Sequence, residues 1–201
     1  MSWIATVAYE EAEGRLRHVY ERVRGPDGKI DNILRAHSLR PHTLEGHMAL
    51  YKSVLHHPRN QIDRWLLEAI GSYVSLLNGC DYCVEHHLAG MARLLADDAR
   101  SAEIRAALEA GTPEDAFEGR ELAMMRYAER LTRAPEAMAE DDVAALRQAG
   151  LDDGEILEVN QLVAYFAYAN RTVLGLGVTS KGDVLGLSPS NRADSDDWSH
   201  I

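Results

Sequence analysis

Apolar positions along the chain recur at three- and four-residue intervals, the spacing that gives a helix one buried face, and no stretch shows the alternation of a half-buried strand. Leu16, Val19, Tyr20 and Val23 fall on one side of a segment predicted as helix over about 9–23, which Gly25-Pro26-Asp27-Gly28 stops. A short helix is predicted after Asp31, with Ile33 and Leu34 turned inward. Pro41 suits the first turn of the next helix, where its missing N–H is no loss; that helix carries Leu44, Met48, Tyr51, Val54 and Leu55 and ends before Pro58. A long apolar helix over about 62–77 follows, closed by Asn78-Gly79, two residues that tolerate the left-handed cap. Further helices are predicted over about 80–95, 98–110, 119–132 and 141–148, and a last long one runs from Asp152-Asp153 to Leu174-Gly175-Leu176-Gly177.

This pattern defines an all-α, single-domain helical bundle. We divide it into an N-terminal helical segment (1–40) that covers the core or builds an interface, a helical core (41–178) and a C-terminal tail (179–201). The tail is rich in Gly, Ser, Asp and Asn, and is expected to be loosely ordered or to lie on a partner subunit. The acidic stretch near Asp194, Asp196 and Asp197 is expected to be solvated. Asn78 and Asn170 occupy similar places in two apolar helices, as do Tyr73 and Tyr165, which is a faint echo of a duplicated unit.

Composition narrows the function. With 46% hydrophobic residues in 201, the chain can bury a core. A net charge of −11 repels phosphate backbones, which argues against nucleic-acid binding. The first residues lack the basic and apolar regions of a signal peptide, and every apolar run is interrupted well before a membrane span is reached. A cytoplasmic protein is therefore expected, in a compartment where a stapling disulfide would not persist. The two cysteines, Cys80 and Cys83, then read as catalytic or metal-binding.

Asn78-Gly79 places Cys80 at or next to a helix N-terminus. Unpaired N–H groups and the positive end of the helix dipole stabilise a thiolate there. The two thiols share one turn, close enough to form a disulfide. His87 lies one turn beyond Cys83 on the same face, placed to take a thiol proton. If the chain folds back at Asn78-Gly79, Glu68 reaches the height of His87 and can orient it. Other readings stay open at this level: two inert buried thiols, or a zinc site made by Cys80, Cys83, His87 and Glu68, although no second Cys-x-x-Cys or His-x-x-x-His supports the metal. His86, about 100° round the helix from His87, is read as a packing residue, as is Tyr82. Most of His37, His42, His47, His56 and His57 are read as surface or interface residues. Asn170-Arg171 is read as a helix end, with pocket lining as the rival.

The register of Glu68, Cys80, Cys83 and His87, with the wording Asn-Gly-Cys-Asp-Tyr-Cys-Val-Glu-His-His, resembles the alkylhydroperoxidase D-like group of the carboxymuconolactone decarboxylase superfamily, in its peroxidase-related branch. Asn170-Arg171 before Leu-Gly-Leu-Gly-Val is similar to that branch as well, and the likeness extends over about 30–178. The resemblance implies an all-helical homo-oligomer that reduces a hydroperoxide with electrons from a thiol or lipoyl-type donor, using no cofactor and no metal. Cys83 would attack the peroxide, Cys80 would resolve the sulfenic acid, and His87 with Glu68 would relay the proton. Tyr82 stands where well-known members carry a histidine, immediately before the second cysteine; His86 could substitute, although it points about 100° away from His87 on the helix. The alternatives are a non-enzymatic redox-sensing oligomer, a thiol–disulfide exchange protein, and a lactone decarboxylase of the wider superfamily, against which the cysteine pair argues.

Overall fold

In the computed structural model, residues 2–190 and 198–200 are described; the acidic stretch at 194–197 lies outside them. Among the described residues there are nine α-helices and no named strand: α1 (Gly14–Val23), α2 (Asn32–Ala36), α3 (Pro41–Leu55), α4 (Arg64–Leu77), α5 (Asp81–Leu95), α6 (Asp98–Ala110), α7 (Gly119–Arg133), α8 (Glu140–Gln148) and α9 (Asp153–Leu176). No helix among them is long and apolar enough to cross a membrane.

The helix predicted over 9–23 is split. A three-residue 3-10 turn at Tyr9–Glu11 is followed by extended backbone at Ala12 and Glu13. Gly14, the first residue of α1, has φ +52°, outside the right-handed region, so the chain cannot run through as one helix. Elsewhere the termini carry their signals. Pro41 opens α3, and Asp152 and Glu155 form a reciprocal capping box at the start of α9 (Asp152 Oδ1 from Glu155 N at 2.8 Å, Glu155 Oε2 from Asp152 N at 3.0 Å).

α4 is the centre of the bundle. It packs against α5, α7 and α9, and its residues from Leu66 to Ser75 are all buried. Its crossing with α9 is tight. A Cβ on Gly71 would lie 2.2 Å from the ring of Phe166, so only glycine admits the aromatic ring at this crossing. The N-terminal segment joins the same core through Leu16, Val19, Tyr20, Val23 and Leu34.

The C-terminal segment departs from the sequence expectation. Its described residues pack on the chain itself rather than lying loose. Asp183 accepts hydrogen bonds from Tyr82 Oη (2.8 Å) and Asn32 N (3.0 Å), and Asn32 Nδ2 donates to the Thr179 and Lys181 carbonyls (2.9 and 3.1 Å). Pro189 pairs with His200 in an isolated antiparallel bridge. Polar composition misled because these polar groups point inward and are satisfied there.

Candidate active site

The turn between α4 and α5 sets the cysteines. Asn78 caps α4 and Gly79 follows at φ +68°. The Gly79 N–H bonds to the Leu76 carbonyl (3.0 Å) and the Cys80 N–H to the Ser75 carbonyl (2.9 Å), the pair of bonds that defines a Schellman ending. Cys80 completes that motif and is also the N-cap of α5, with its carbonyl accepting from Val84 N at 3.0 Å. One short turn thus closes one helix and fixes the first cysteine at the start of the next.

Cys80 and Cys83 are both reduced and buried. The Cys83 thiol donates to the Cys80 sulfur. That hydrogen bond draws the Cys80 thiol below its ordinary pKa, against the upward push of burial. The same bond, with burial, drives Cys83 well above its ordinary value. Asn170 of α9 is fully buried beside them and hydrogen-bonds to both sulfurs. Its Nδ2 donates to Ser75 Oγ at 3.0 Å, and its Oδ1 accepts from Asn78 Nδ2 at 2.9 Å. Asn170 therefore lies inside the cysteine environment and is not a surface helix end.

Folding α5 back on α4 brings Glu68 to His87, with Oε2 at 2.6 Å from Nδ1. Glu68 is 2% exposed, so it needs this partner. The approach depends on Gly90, one turn past His86: a Cβ there would sit 3.3 Å from the Glu68 carboxyl carbon. Phe166 packs edge-on against the His87 ring at 4.6 Å. With Nδ1 held by Glu68, His87 has Nε2 left for proton exchange.

Cys83, Glu68 and His87 line one small cavity of ≈ 40 Å³ with Tyr82 and His86. Cys80 does not line it; it borders a separate groove with Trp3, Asp81, Val173 and Val178. The four sequence-predicted residues are thus brought together as a pair and a dyad, with Cys83 at the junction. Among the described residues, no group of three or more His, Cys, Asp or Glu side chains is arranged to hold a metal.

Several buried residues in or beside the cavity escaped the sequence. His47 and His56, which belong to the group read mostly as surface or interface residues, are 3% and 1% exposed. His47 packs against Tyr165 at 5.9 Å and His56 against Tyr51 at 4.8 Å, while Tyr51 stacks on Tyr165 at 5.5 Å. Burial pushes His47 down to about 3 and His56 well below the ordinary imidazole value, so both are neutral. His56 Nε2 stands 3.8 Å from the second Glu68 oxygen. Asp31, Leu187 and His200 close the other wall of the cavity. Burial raises Asp31 to about 6 and lowers His200 to about 4. No short-range signal marks these groups, because each reaches the cavity from a different element.

No protein-family model matches the sequence, and no curated protein matches it. Solved structures do. The chain is similar to an uncharacterised peroxidase-related protein from Ralstonia eutropha JMP134 with an alkylhydroperoxidase AhpD core (TM-score 0.79, 19% identity, covering 90% of this chain and 93% of that one). It is similar to an uncharacterised peroxidase-related protein from Silicibacter sp. TM1040 (TM-score 0.75, 22% identity, covering 93% and 95%). A cysteine-to-alanine variant of the debrominase Bmp8, in complex with 2,3,4-tribromopyrrole, shares the fold as well (TM-score 0.67, 16% identity, covering 88% and 90%). The chain therefore has the all-helical fold of the alkylhydroperoxidase AhpD core.

Proposed function

We propose that this chain is a thiol-dependent peroxidase in which Cys83 takes up the oxidant and Cys80 resolves it. The observation that carries the reading is the buried Glu68–His87 dyad, closed at 2.6 Å, on the same cavity as one cysteine of an adjacent reduced pair. A base held by a carboxylate beside a thiol is the arrangement that activates a nucleophile.

In the resting pair the Cys83 proton is shared toward Cys80. Its transfer to His87 frees the Cys83 thiolate to attack the peroxide. An S–O bond forms, the O–O bond breaks, and the departing oxygen leaves as alcohol or water after taking a proton; Cys83 becomes a sulfenic acid. Cys80, already favoured as thiolate, attacks that sulfur, the hydroxyl departs as water with the proton held on His87, and the Cys80–Cys83 disulfide remains. A dithiol donor, a thiol protein or lipoyl group, then returns two electrons. Cys80 is the sulfur to meet this donor, since its residue borders the separate groove.

The size of the cavity supports a small oxidant. At ≈ 40 Å³ it has room for about two or three water-sized groups, which suits a peroxide head and not a polyhalogenated ring. We further infer a cytoplasmic homo-oligomer, in keeping with the resemblance. The test is peroxide consumption by the purified chain with dithiothreitol as reductant. Sustained turnover is expected with hydrogen peroxide or tert-butyl hydroperoxide, while loss of bromide from a bromopyrrole without peroxide turnover would move the assignment to reductive dehalogenation.

A further inference from the structure

Tyr82 occupies the position where the resemblance expects a relay histidine, so the leaving oxygen needs another source of its proton. Three groups around Tyr82 are arranged in a way that neither the cysteine pair nor the Glu68–His87 dyad uses. His86 is three residues beyond Cys83 on α5 and His87 four, so the two imidazoles flank Cys83 on either side of its helical face. Both line the cavity that holds Cys83. The His86 ring stacks on Tyr82 at 4.5 Å. Its Nε2 is buried with no hydrogen-bond partner and stands 3.5 Å from Asp183 Oδ2, within ion-pair range.

The Asp183 side chain is 4% exposed and takes its hydrogen bonds from neutral donors, the Tyr82 hydroxyl and the Asn32 amide. Asp183 also borders a groove with Lys29, Arg35 and Lys181, and its carboxylate stands within ion-pair range of the His86 imidazole. Asp31 and His200 also face this wall of the cavity. Asp31 lies close enough for His86 to pull its pKa down and for Asp183 to push it up, which places all three in one electrostatic cluster.

We propose that His86 is the acid that protonates the leaving oxygen when Cys83 cleaves the peroxide, and that Asp183, carried in by the C-terminal segment, positions it. This rests on the peroxidase reading. The division of labour is spatial: His87 and Glu68 accept the thiol proton on one flank, and His86 delivers a proton on the other. In the step, the Cys83 thiolate gains one oxygen and loses two electrons, the O–O bond takes them, and the His86 proton ends on the departing alkoxide as alcohol. The C-terminal segment is then part of the active site.

The experiment compares two oxidants that differ in leaving group. Tert-butyl hydroperoxide expels a strongly basic alkoxide that needs the proton; peracetic acid expels acetate, which does not. Single-turnover loss of thiols is followed by rapid quench in the full chain and in the His86→Gln and Asp183→Asn variants, with thermal melts to verify folding. His86→Gln is expected to slow tert-butyl hydroperoxide by about 100-fold and peracetic acid by no more than about threefold. Asp183→Asn, which keeps acceptor geometry and removes the charge, is expected to show the same selectivity at smaller size. Equal losses with both oxidants, or a wild-type rate with tert-butyl hydroperoxide, would overturn the assignment of His86 alone. A wild-type chain inert to both oxidants would overturn the peroxidase reading and this inference with it.

Discussion

The Glu68 carboxylate and the His87 imidazole meet at 2.6 Å across the hairpin that the Asn78-Gly79 turn makes of α4 and α5. Glu68→Gln keeps the side chain's shape and removes its charge, so His87 loses its orienting base. Peroxide consumption is expected to fall by about tenfold or more while the protein stays folded. An unchanged rate constant for thiol loss would remove Glu68 from the relay.

Gly71 couples the fold to this dyad. A methyl group at 71 would meet the Phe166 ring at 2.2 Å, and that ring packs edge-on against His87. Gly71→Ala is therefore expected to destabilise the chain by about 1–3 kcal/mol and to lower peroxide turnover by displacing Phe166. Urea unfolding and turnover, measured on the same preparation, check both.

The buried histidines give stability an acid edge. In the unfolded chain they protonate near 6.5; in the folded chain His47 does so only at about 3 and His200 at about 4. Below pH 6.5 the unfolded state binds more protons, so this contribution is complete above pH 6.5 and is lost as pH falls toward those values. By pH 5 each group withdraws about 2 kcal/mol. Melts at pH 7 and pH 5 should show the fall, and His47→Gln should flatten it. Equal pH slopes for the two proteins would place His47 outside this effect.

Asp31 acts with the opposite sign. Its folded pKa, about 6, lies above the ordinary 3.8. Its contribution is full below pH 3.8 and is lost as pH rises through 6. Asp31→Asn should therefore stabilise the chain at pH 7.5, by on the order of 2–3 kcal/mol, and leave it unchanged at pH 4. Denaturant titrations at the two pH values measure the difference.

Helical periodicity and caps placed most helices to within a residue or two, because each boundary signal, such as Pro41, Asn78-Gly79 or the Asp152/Glu155 box, is local. The Glu68, Cys80, Cys83 and His87 set was readable for the same reason: all four sit on two consecutive helices joined by a tight turn. What the sequence hid comes from distant segments. Tyr82 and Asp183 are 101 residues apart, and Asn78 and Asn170 are 92 apart. His47 and His56 read as surface groups because their own helix gives no hint of the aromatic wall that Tyr165 of α9 adds. His86 was judged by its angle to His87, when the relevant neighbour is Cys83, one turn away. The faint likeness of Asn78 to Asn170 turned out to join two residues that hydrogen-bond to each other.

The central claim is that peroxide turns the Cys80 and Cys83 thiols into a disulfide through Cys83. The most direct measurement is intact mass and thiol count before and after one equivalent of tert-butyl hydroperoxide, on the wild-type, Cys83→Ser and Cys80→Ser proteins. The account predicts loss of both wild-type thiols with a mass decrease of two hydrogens, no reaction in Cys83→Ser, and a dimedone-trappable sulfenic acid on Cys83 in Cys80→Ser. Two thiols still free in the wild type, or full reactivity in Cys83→Ser, would contradict it.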